Sequence, residues 1–274
     1  MDTWINGAIL PETKAKLNIH EEGIRYGYGL FETVRIYQGI PFALARHLNR
    51  LFRSSQVLGF EPVYPEKVVS FAATQLIKNN GIREGILRLY ATPESIWLTT
   101  SSHLPYHESL YEKGYKGMIA ETRRNETSLL SRLKTFNYLE NILAKRKASS
   151  LNYDEAIFLN MQGHIAEGTA SNIFLVKNQK LVTPGMNEGI LPGITREIVL
   201  ELARQNQMET MERMVLPDEI YEADEVFLTN SLMEIMPLVQ LDHHPIGNGK
   251  PGILTLKLLK IYREYAYHCL NSRT

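Results

Sequence analysis

The sequence predicts a mixed α/β (α+β) fold in two domains, and three observations carry that prediction. Stretches of apolar–polar alternation sit among stretches of helical spacing, and the two kinds do not follow one another strictly. A polar segment over 104–117, with Pro105, Gly114 and Gly117, interrupts both patterns. With 274 residues, the chain is long enough for a modest core on each side of that interruption. The expected organisation is an N-terminal α/β domain over 1–103, an interdomain linker over 104–117 and a C-terminal domain over 118–274.

Residues 3–10 read as a strand reversing at Asn6-Gly7, a dipeptide that tolerates the positive φ angles of a tight hairpin. Phe31–Tyr37 alternates and stops at Gln38-Gly39, after which Ile40–Leu44 can return beside it. Leu44, Leu48, Leu51 and Phe52 have helical spacing within 44–58. Val68–Leu76 repeats that spacing and ends near Asn80-Gly81, a helix-terminating pair. Ile86–Tyr90 and Ile96–Thr100 read as short strands. Beyond the polar segment, Gly117–Thr122 reads as a strand, and a loop with Arg123, Arg124 and Asn125 leads to Lys134. A helix over 138–149 puts Leu139, Ile142 and Leu143 on one face. Glu155–Leu159 and Asn172–Lys177 are strands, the second turning at Asn178-Gln179 into Lys180–Thr183. Thr195 is a candidate N-cap for a helix with Ile198, Val199 and Leu202 inward. Val226–Thr229 is a short buried strand, and Ile253–Leu270 an amphipathic helix.

Composition excludes several classes of function. Thirty basic residues balance thirty acidic ones, so no charge excess points to nucleic acid or an anionic membrane. No run approaches the roughly 20 apolar residues of a membrane-spanning helix. The N-terminus shows no basic region followed by an apolar stretch, so a cytoplasmic location is expected. The single cysteine, Cys269, reads as a small apolar residue of the last helix. No metal-ligand spacing stands out.

Three short motifs carry chemistry. Lys134 lies in Arg132-Leu-Lys-Thr-Phe-Asn-Tyr-Leu-Glu140. A lone lysine reads as a solvated surface residue, but Thr135–Leu139 is uncharged, and a partly desolvated amine is easier to deprotonate for covalent work on a carbonyl. Glu167 precedes Gly168-Thr-Ala-Ser-Asn172. It reads either as a hairpin glutamate or as a carboxylate beside small residues that admit a flat ligand. Gly193-Ile194-Thr195 opens a helix, where outward N–H groups and the dipole suit a phosphate. Together an amine, a carboxylate and an anion site are the parts a pyridoxal 5'-phosphate site needs.

Further motifs extend this pattern along nearly the whole chain: Arg25-Tyr-Gly-Tyr-Gly-Leu-Phe-Glu-Thr-Val-Arg35, His47-Leu-Asn-Arg50-Leu and Phe227-Leu-Thr-Asn-Ser-Leu-Met-Glu-Ile-Met-Pro237. With them the chain resembles the fold-type IV pyridoxal phosphate enzymes, the class IV aminotransferase family with its 4-amino-4-deoxychorismate lyases. The resemblance implies a smaller N-terminal α/β domain and a larger C-terminal cofactor-binding domain. It implies that Lys134 holds the cofactor as a Schiff base and shuttles the proton, and that Glu167 keeps the ring nitrogen protonated. Arg50, which by itself reads as a solvated helix arginine, matches the arginine on the phosphate. Ile194, Thr195 and Ser231 match further phosphate donors. Tyr138 matches a tyrosine near the phosphate in branched-chain members, with the lysine-to-tyrosine spacing one residue shorter here. Phe31, Arg35 and Arg88 are the substrate-contact candidates, Phe31 standing where the D-amino acid enzymes have tyrosine. Those enzymes also carry an Arg-x-His pair, and no arginine or histidine lies between Arg88 and His103.

The stretches around Lys134 and Ser231 are most similar to aminodeoxychorismate lyases. The expected activity is therefore release of 4-aminobenzoate and pyruvate, a folate-precursor reaction. The alternative is an aminotransferase for branched-chain or D-amino acids, and a weaker one is a pyridoxal phosphate-binding protein without turnover. The family also implies a homodimer, with residues around His103–Tyr106 reaching the other chain's site, and a small-molecule amine as substrate.

Overall fold

The computed structural model describes residues 1–271. The chain divides into two compact units. The first comprises Met1–Pro105, Leu133–Asn137 and the chain from Ala266; the second comprises Tyr106–Arg132 and Tyr138–Tyr265.

The first unit opens with β1 (Asp2–Ile5) and β2 (Ala8–Pro11), joined at Asn6-Gly7, where φ is 44° and 92°. A short helix α1 (Glu22–Tyr26) precedes β3 (Leu30–Tyr37), which turns into the two-residue β4 (Ile40–Pro41). Helices α2 (Leu44–Val57) and α3 (Glu66–Asn79) follow, then β5 (Gly85–Ala91) and β6 (Ile96–Ser101). The strands form an antiparallel sheet in the order β2-β1-β6-β5-β3-β4. Period-two alternation along β3 turns Leu30, Glu32, Val34 and Ile36 to the buried side. There Val34, Leu87 and Leu89 pack with Leu48 and Leu51 of α2 and Leu76 and Ile77 of α3. The opposite side of β3 carries Phe31, Thr33 and Arg35.

The second unit begins with α4 (Glu108–Lys113), β7 (Tyr115–Ile119) and α5 (Leu139–Ser150). It continues through β8 (Glu155–Leu159), β9 (Ile165–Gly168), β10 (Asn172–Lys177), β11 (Lys180–Pro184), α6 (Ile194–Gln205) and β12 (Thr210–Arg213). The last elements are α7 (Pro217–Tyr221), β13 (Glu225–Asn230), β14 (Glu234–Leu241), β15 (His244–Pro245) and α8 (Ile253–Asn271). Among the described residues these strands make a nine-stranded mixed sheet, in the order β12-β11-β10-β13-β14-β7-β8-β9 with β15 paired to β14. The central strands are continuous apolar runs because both faces are covered, and Phe174 of β10 stacks on Phe227 of β13 at 4.9 Å between ring centroids.

The predicted fold class is what the structure has, and four expectations need correction. The polar stretch 104–117 is not a plain linker, since it folds α4 and begins β7, which pairs with β14 and β8. Its polar residues are the outer side of a helix. The segment Leu133–Asn137 groups with the first unit although it lies far along the sequence. The N-cap of α6 is Gly193, which leaves Thr195 inside the first turn. Finally, Leu139, Ile142 and Leu143 of α5 share a face, but it is the outer one, at 66, 43 and 54% exposure. The inner face carries Asn141 and Ala148, because Asn141 donates to the Thr169 carbonyl at 2.6 Å.

The Phe174–Phe227 stack makes a direct test of where the second core lies. Phe227→Ala should cost about 3–5 kcal/mol in urea unfolding; a loss below about 1 kcal/mol would remove the pair from the core.

Candidate active site

In the first unit the site is built on β3. Strand β4 covers only the far end of β3, pairing with Ile36 and Tyr37, and the near end pairs instead with the segment that carries Lys134. The Phe31 N–H donates to the Lys134 carbonyl and the Phe136 N–H donates to the Gly29 carbonyl, both at 2.9 Å. A Cβ on Gly29 would lie 2.4 Å from the Phe136 ring, so glycine there is what lets the segment dock. Lys134 Nζ sits over the Phe31 ring, 4.3 Å from its centroid. Phe31 pairs across to Tyr90 and Thr33 to Arg88, so Phe31, Arg35 and Arg88 share one face of the β3–β5 ladder. Arg35 is also engaged locally, with Glu84 at 3.6 Å and with the Tyr37 ring.

On the other face Glu32 is buried with His47 and Arg50 of α2. Arg50 forks onto the carboxylate, Nε to Oε1 and Nη2 to Oε2, each at 2.7 Å, and His47 Nδ1 is 2.7 Å from Oε2. Burial alone would raise the Glu32 carboxyl, but Arg50 and then His47 hold it at about 2. Burial pushes the His47 imidazole down despite Glu32, with the charges of Arg50 and Lys134 adding to that push. Thus Arg50 is not the solvated helix arginine that its sequence position alone suggests; its charge is balanced within the unit.

In the second unit Glu167 is the penultimate residue of β9, 7% exposed. Its Oε2 accepts the Leu191 N–H at 3.0 Å and lies 3.4 Å from Asn172 Nδ2, while Oε1 lies 3.4 Å from Arg124 Nη2. The Arg124 guanidinium spreads over the Phe158 ring at 4.3 Å, and its Nε is buried with no hydrogen-bond partner among the described residues. Small residues after Glu167 fold back tightly: the Gly168 N–H bonds the Ser171 carbonyl, and Thr169 and Ser171 donate their hydroxyls to buried Glu155. Tyr138 donates its hydroxyl to the Thr169 carbonyl at 2.7 Å. Burial, then the charges of Glu167 and Glu155, push that phenol well up. Tyr138 therefore braces the turn beside Glu167.

The N-terminus of α6 leaves the N–H groups of Ile194 and Thr195 without intrahelical partners, and both residues are buried. Gly193 is closely approached by Asn172. Across the ladder Asn172 faces Thr229, whose hydroxyl is buried with no hydrogen-bond partner among the described residues. Ser231 sits in the β13–β14 turn, which Asn230 fastens to the Ala170 carbonyl at 2.9 Å. The second unit thus gathers Glu167, Tyr138, Ser231, Ile194 and Thr195, and the first gathers Lys134, Phe31, Arg35 and Arg88. Of the His103–Tyr106 stretch, Tyr106 begins the second unit, and its half-buried phenol bonds to Asn230. Sequence reasoning missed Asn172 and Asn141, and it passed over Arg124 as one of a charged loop. Such amides and arginines take part mainly through partners far along the chain.

These features suit a flat anionic cofactor: an anion-accepting helix start, an orphaned hydroxyl on a strand nearby in the fold, and a carboxylate for a ring nitrogen. Comparison with known proteins decides the family. Residues 29–241 match the model of the amino-transferase class IV family. The chain belongs to that family. An Aquifex aeolicus protein named a probable branched-chain-amino-acid aminotransferase is 35% identical over 94% of this chain and 90% of its own. The aminodeoxychorismate lyase of Bacillus subtilis is 30% identical, over 95% of this chain and 93% of its own. The crystal structure of the T.th. branched-chain amino acid aminotransferase with pyridoxamine 5'-phosphate superposes with a TM-score of 0.91 at 28% identity, covering 96% of this chain and 93% of that one. This class IV protein is an enzyme that uses pyridoxal 5'-phosphate. Among the described residues no helix is long and apolar enough to cross a membrane.

The Glu32 cluster gives the family member a definite pH response. Glu32 titrates near 4.5 unfolded and near 2 folded, so its stabilisation is complete above 4.5 and is lost as the pH falls from 4.5 towards 2, up to about 3 kcal/mol. Burial holds the His47 imidazole below its ordinary value, so unfolding in mild acid takes up a proton there and adds to the acid sensitivity. In urea unfolding from pH 7 to 3, Glu32→Gln should flatten the decline below 4.5. At pH 7 the same variant should lose about 3–5 kcal/mol, because Arg50 keeps a buried charge without its counter-ion. A variant with the wild-type acid slope would put that titration elsewhere.

Proposed function

We propose that this enzyme is an aminotransferase for branched-chain or other neutral amino acids. The observation that carries this reading is its whole-length likeness to branched-chain aminotransferases in sequence and fold. The lack of any arginine or histidine between Arg88 and His103 speaks against the D-amino acid branch. The stretches around Lys134 and Ser231 point to a lyase, but the lyase relative is 30% identical where the branched-chain relative is 35%. The lyase, favoured by those motifs and by the Bacillus subtilis relative, is therefore the second reading.

Bound pyridoxal phosphate supplies a carbonyl carbon that takes the amino group and a ring that accepts the electron pair of a departing Cα proton. In this reading Lys134 Nζ holds that carbon at rest and afterwards moves the Cα proton. Its seat over the Phe31 ring fixes where that amine stands. Glu167, held by Arg124 and the Leu191 N–H, keeps a proton on the ring nitrogen. Ile194, Thr195, Ser231 and Arg50 bind the phosphate, with the Thr229 hydroxyl as a further donor on that side. Arg35 and Arg88 take the substrate carboxylate, and Phe31 lines the side-chain space. The outward apolar face of α5 supports a homodimer as part of the same proposal.

Holoenzyme mixed with L-leucine in the absence of a keto acid should pass to the pyridoxamine form, read by loss of the visible band. An unchanged spectrum, with 4-aminobenzoate released from aminodeoxychorismate, would replace the aminotransferase with the lyase. Lys134→Ala should lose borohydride-fixable cofactor and ~10³-fold or more in kcat; cofactor still fixed covalently in that variant would take Lys134 out of the role. Leu143→Glu on α5 should shift the sedimenting species from dimer to monomer, and a monomeric wild type would end the dimer proposal.

A further inference from the structure

One buried side chain outside the roles assigned so far touches three parts of the second unit. Asn172 begins β10 and is 5% exposed. Its Nδ2 donates to the Leu191 carbonyl at 3.0 Å and lies 3.4 Å from Glu167 Oε2. The same Glu167 oxygen accepts the Leu191 N–H at 3.0 Å, which closes a ring of contacts through Glu167, Leu191 and Asn172. On its other side, Asn172 Oδ1 fills the space beside Gly193: a Cβ there would come within 1.9 Å of it. Gly193 is the N-cap of α6, so one carboxamide joins the carboxylate of β9 to the start of the phosphate-facing helix.

Only a carboxamide meets these demands at this size. Its NH2 group offers two hydrogens, one directed at a carbonyl and one at a carboxylate, while its oxygen is turned to the glycine. Aspartate has the shape but no hydrogen, and would set a second anion against Glu167. Serine has one hydrogen and leaves the space beside Gly193 unfilled. The closeness at Gly193 also runs both ways: a methyl group there must push Asn172 away from Leu191 and Glu167.

We propose that Asn172 is a positioning residue that fixes the spacing between Glu167 and the N-terminal turn of α6, and so matches the second unit to both ends of one rigid cofactor. The inference rests on the roles given above to Glu167 and to α6. A pyridine ring with its phosphate arm has a set length, so a shift of either partner misplaces the other end. Displacements of about 1 Å cost on the order of 10²-fold in rate.

The test measures three quantities for each variant: pyridoxal phosphate affinity by fluorescence titration of the apoenzyme, the pH midpoint of the holoenzyme visible band, and the apoenzyme melting temperature. Asn172→Asp should weaken cofactor binding roughly 10- to 100-fold and shift the pH midpoint of the band, with the apoenzyme melting close to wild type. Gly193→Ala, which leaves Asn172 chemically intact, should reproduce both effects, and its combination with Asn172→Ala should be no worse than the poorer single variant. If the Asn172 variants fail to fold, Gly193→Ala alone decides the matter by the same two cofactor readouts. A fall in melting temperature with unchanged affinity and unchanged midpoint would reduce Asn172 to a structural brace and overturn the inference. Glu167→Gln separates the two levels of argument. If it also leaves affinity and midpoint untouched, the assigned role of Glu167 fails first; if it moves them while Asn172→Asp and Gly193→Ala do not, only the positioning role fails.

Discussion

A carboxylate taken out of water must be met by cations and N–H donors, and the two units of this enzyme meet that demand differently. In the first unit Glu32 is held by the Arg50 fork and by His47, all at 2.7 Å. In the second, Glu167 is met by a backbone N–H at 3.0 Å and by Arg124 and Asn172 at 3.4 Å. The tight cluster ties α2 to β3 and behaves as structure. The looser one draws together a strand end, a loop and a helix start.

Close backbone approach is the second constraint, and it explains where the small residues fall. Gly29 gives room to the Phe136 ring, without which the Lys134 segment could not lie along β3. Gly193 gives room to Asn172. Thr169 and Ser171, around the tight turn after Glu167, are fastened to Glu155 by hydroxyl bonds, while Asn230 reaches the Ala170 carbonyl from the neighbouring hairpin. At both glycines a missing side chain on one segment is the seat of a specific side chain from another. Substituting either glycine therefore acts on its partner more than on the turn itself.

Several residues that the family pattern names acquire physical context that the pattern lacks. Arg50 is the charge partner of a buried glutamate as well as a phosphate candidate. Tyr138 bonds the turn beside Glu167. Lys134 rests on an aromatic face instead of facing open solvent. Arg124, from a loop that reads as merely charged, stands against both Glu167 and Phe158.

What the sequence by itself determined is local. Turn dipeptides such as Asn6-Gly7 set hairpins through their φ angles, period-two and helical spacings set strand and helix identity, and the motifs at 134, 167 and 193 pointed to the cofactor by residue type. Local patterns do not say which apolar face turns inward, so Leu139, Ile142 and Leu143 look like core and are not. Nor do they say that 108–113 is a helix with a polar outer side, or that 133–137 belongs with β3. Those outcomes, together with the partners of Asn172, Asn141 and Arg124, were decided by tertiary structure. They depend on charges and amides finding complements across tens of residues, and such energies come into being only once the backbone has brought the pair together.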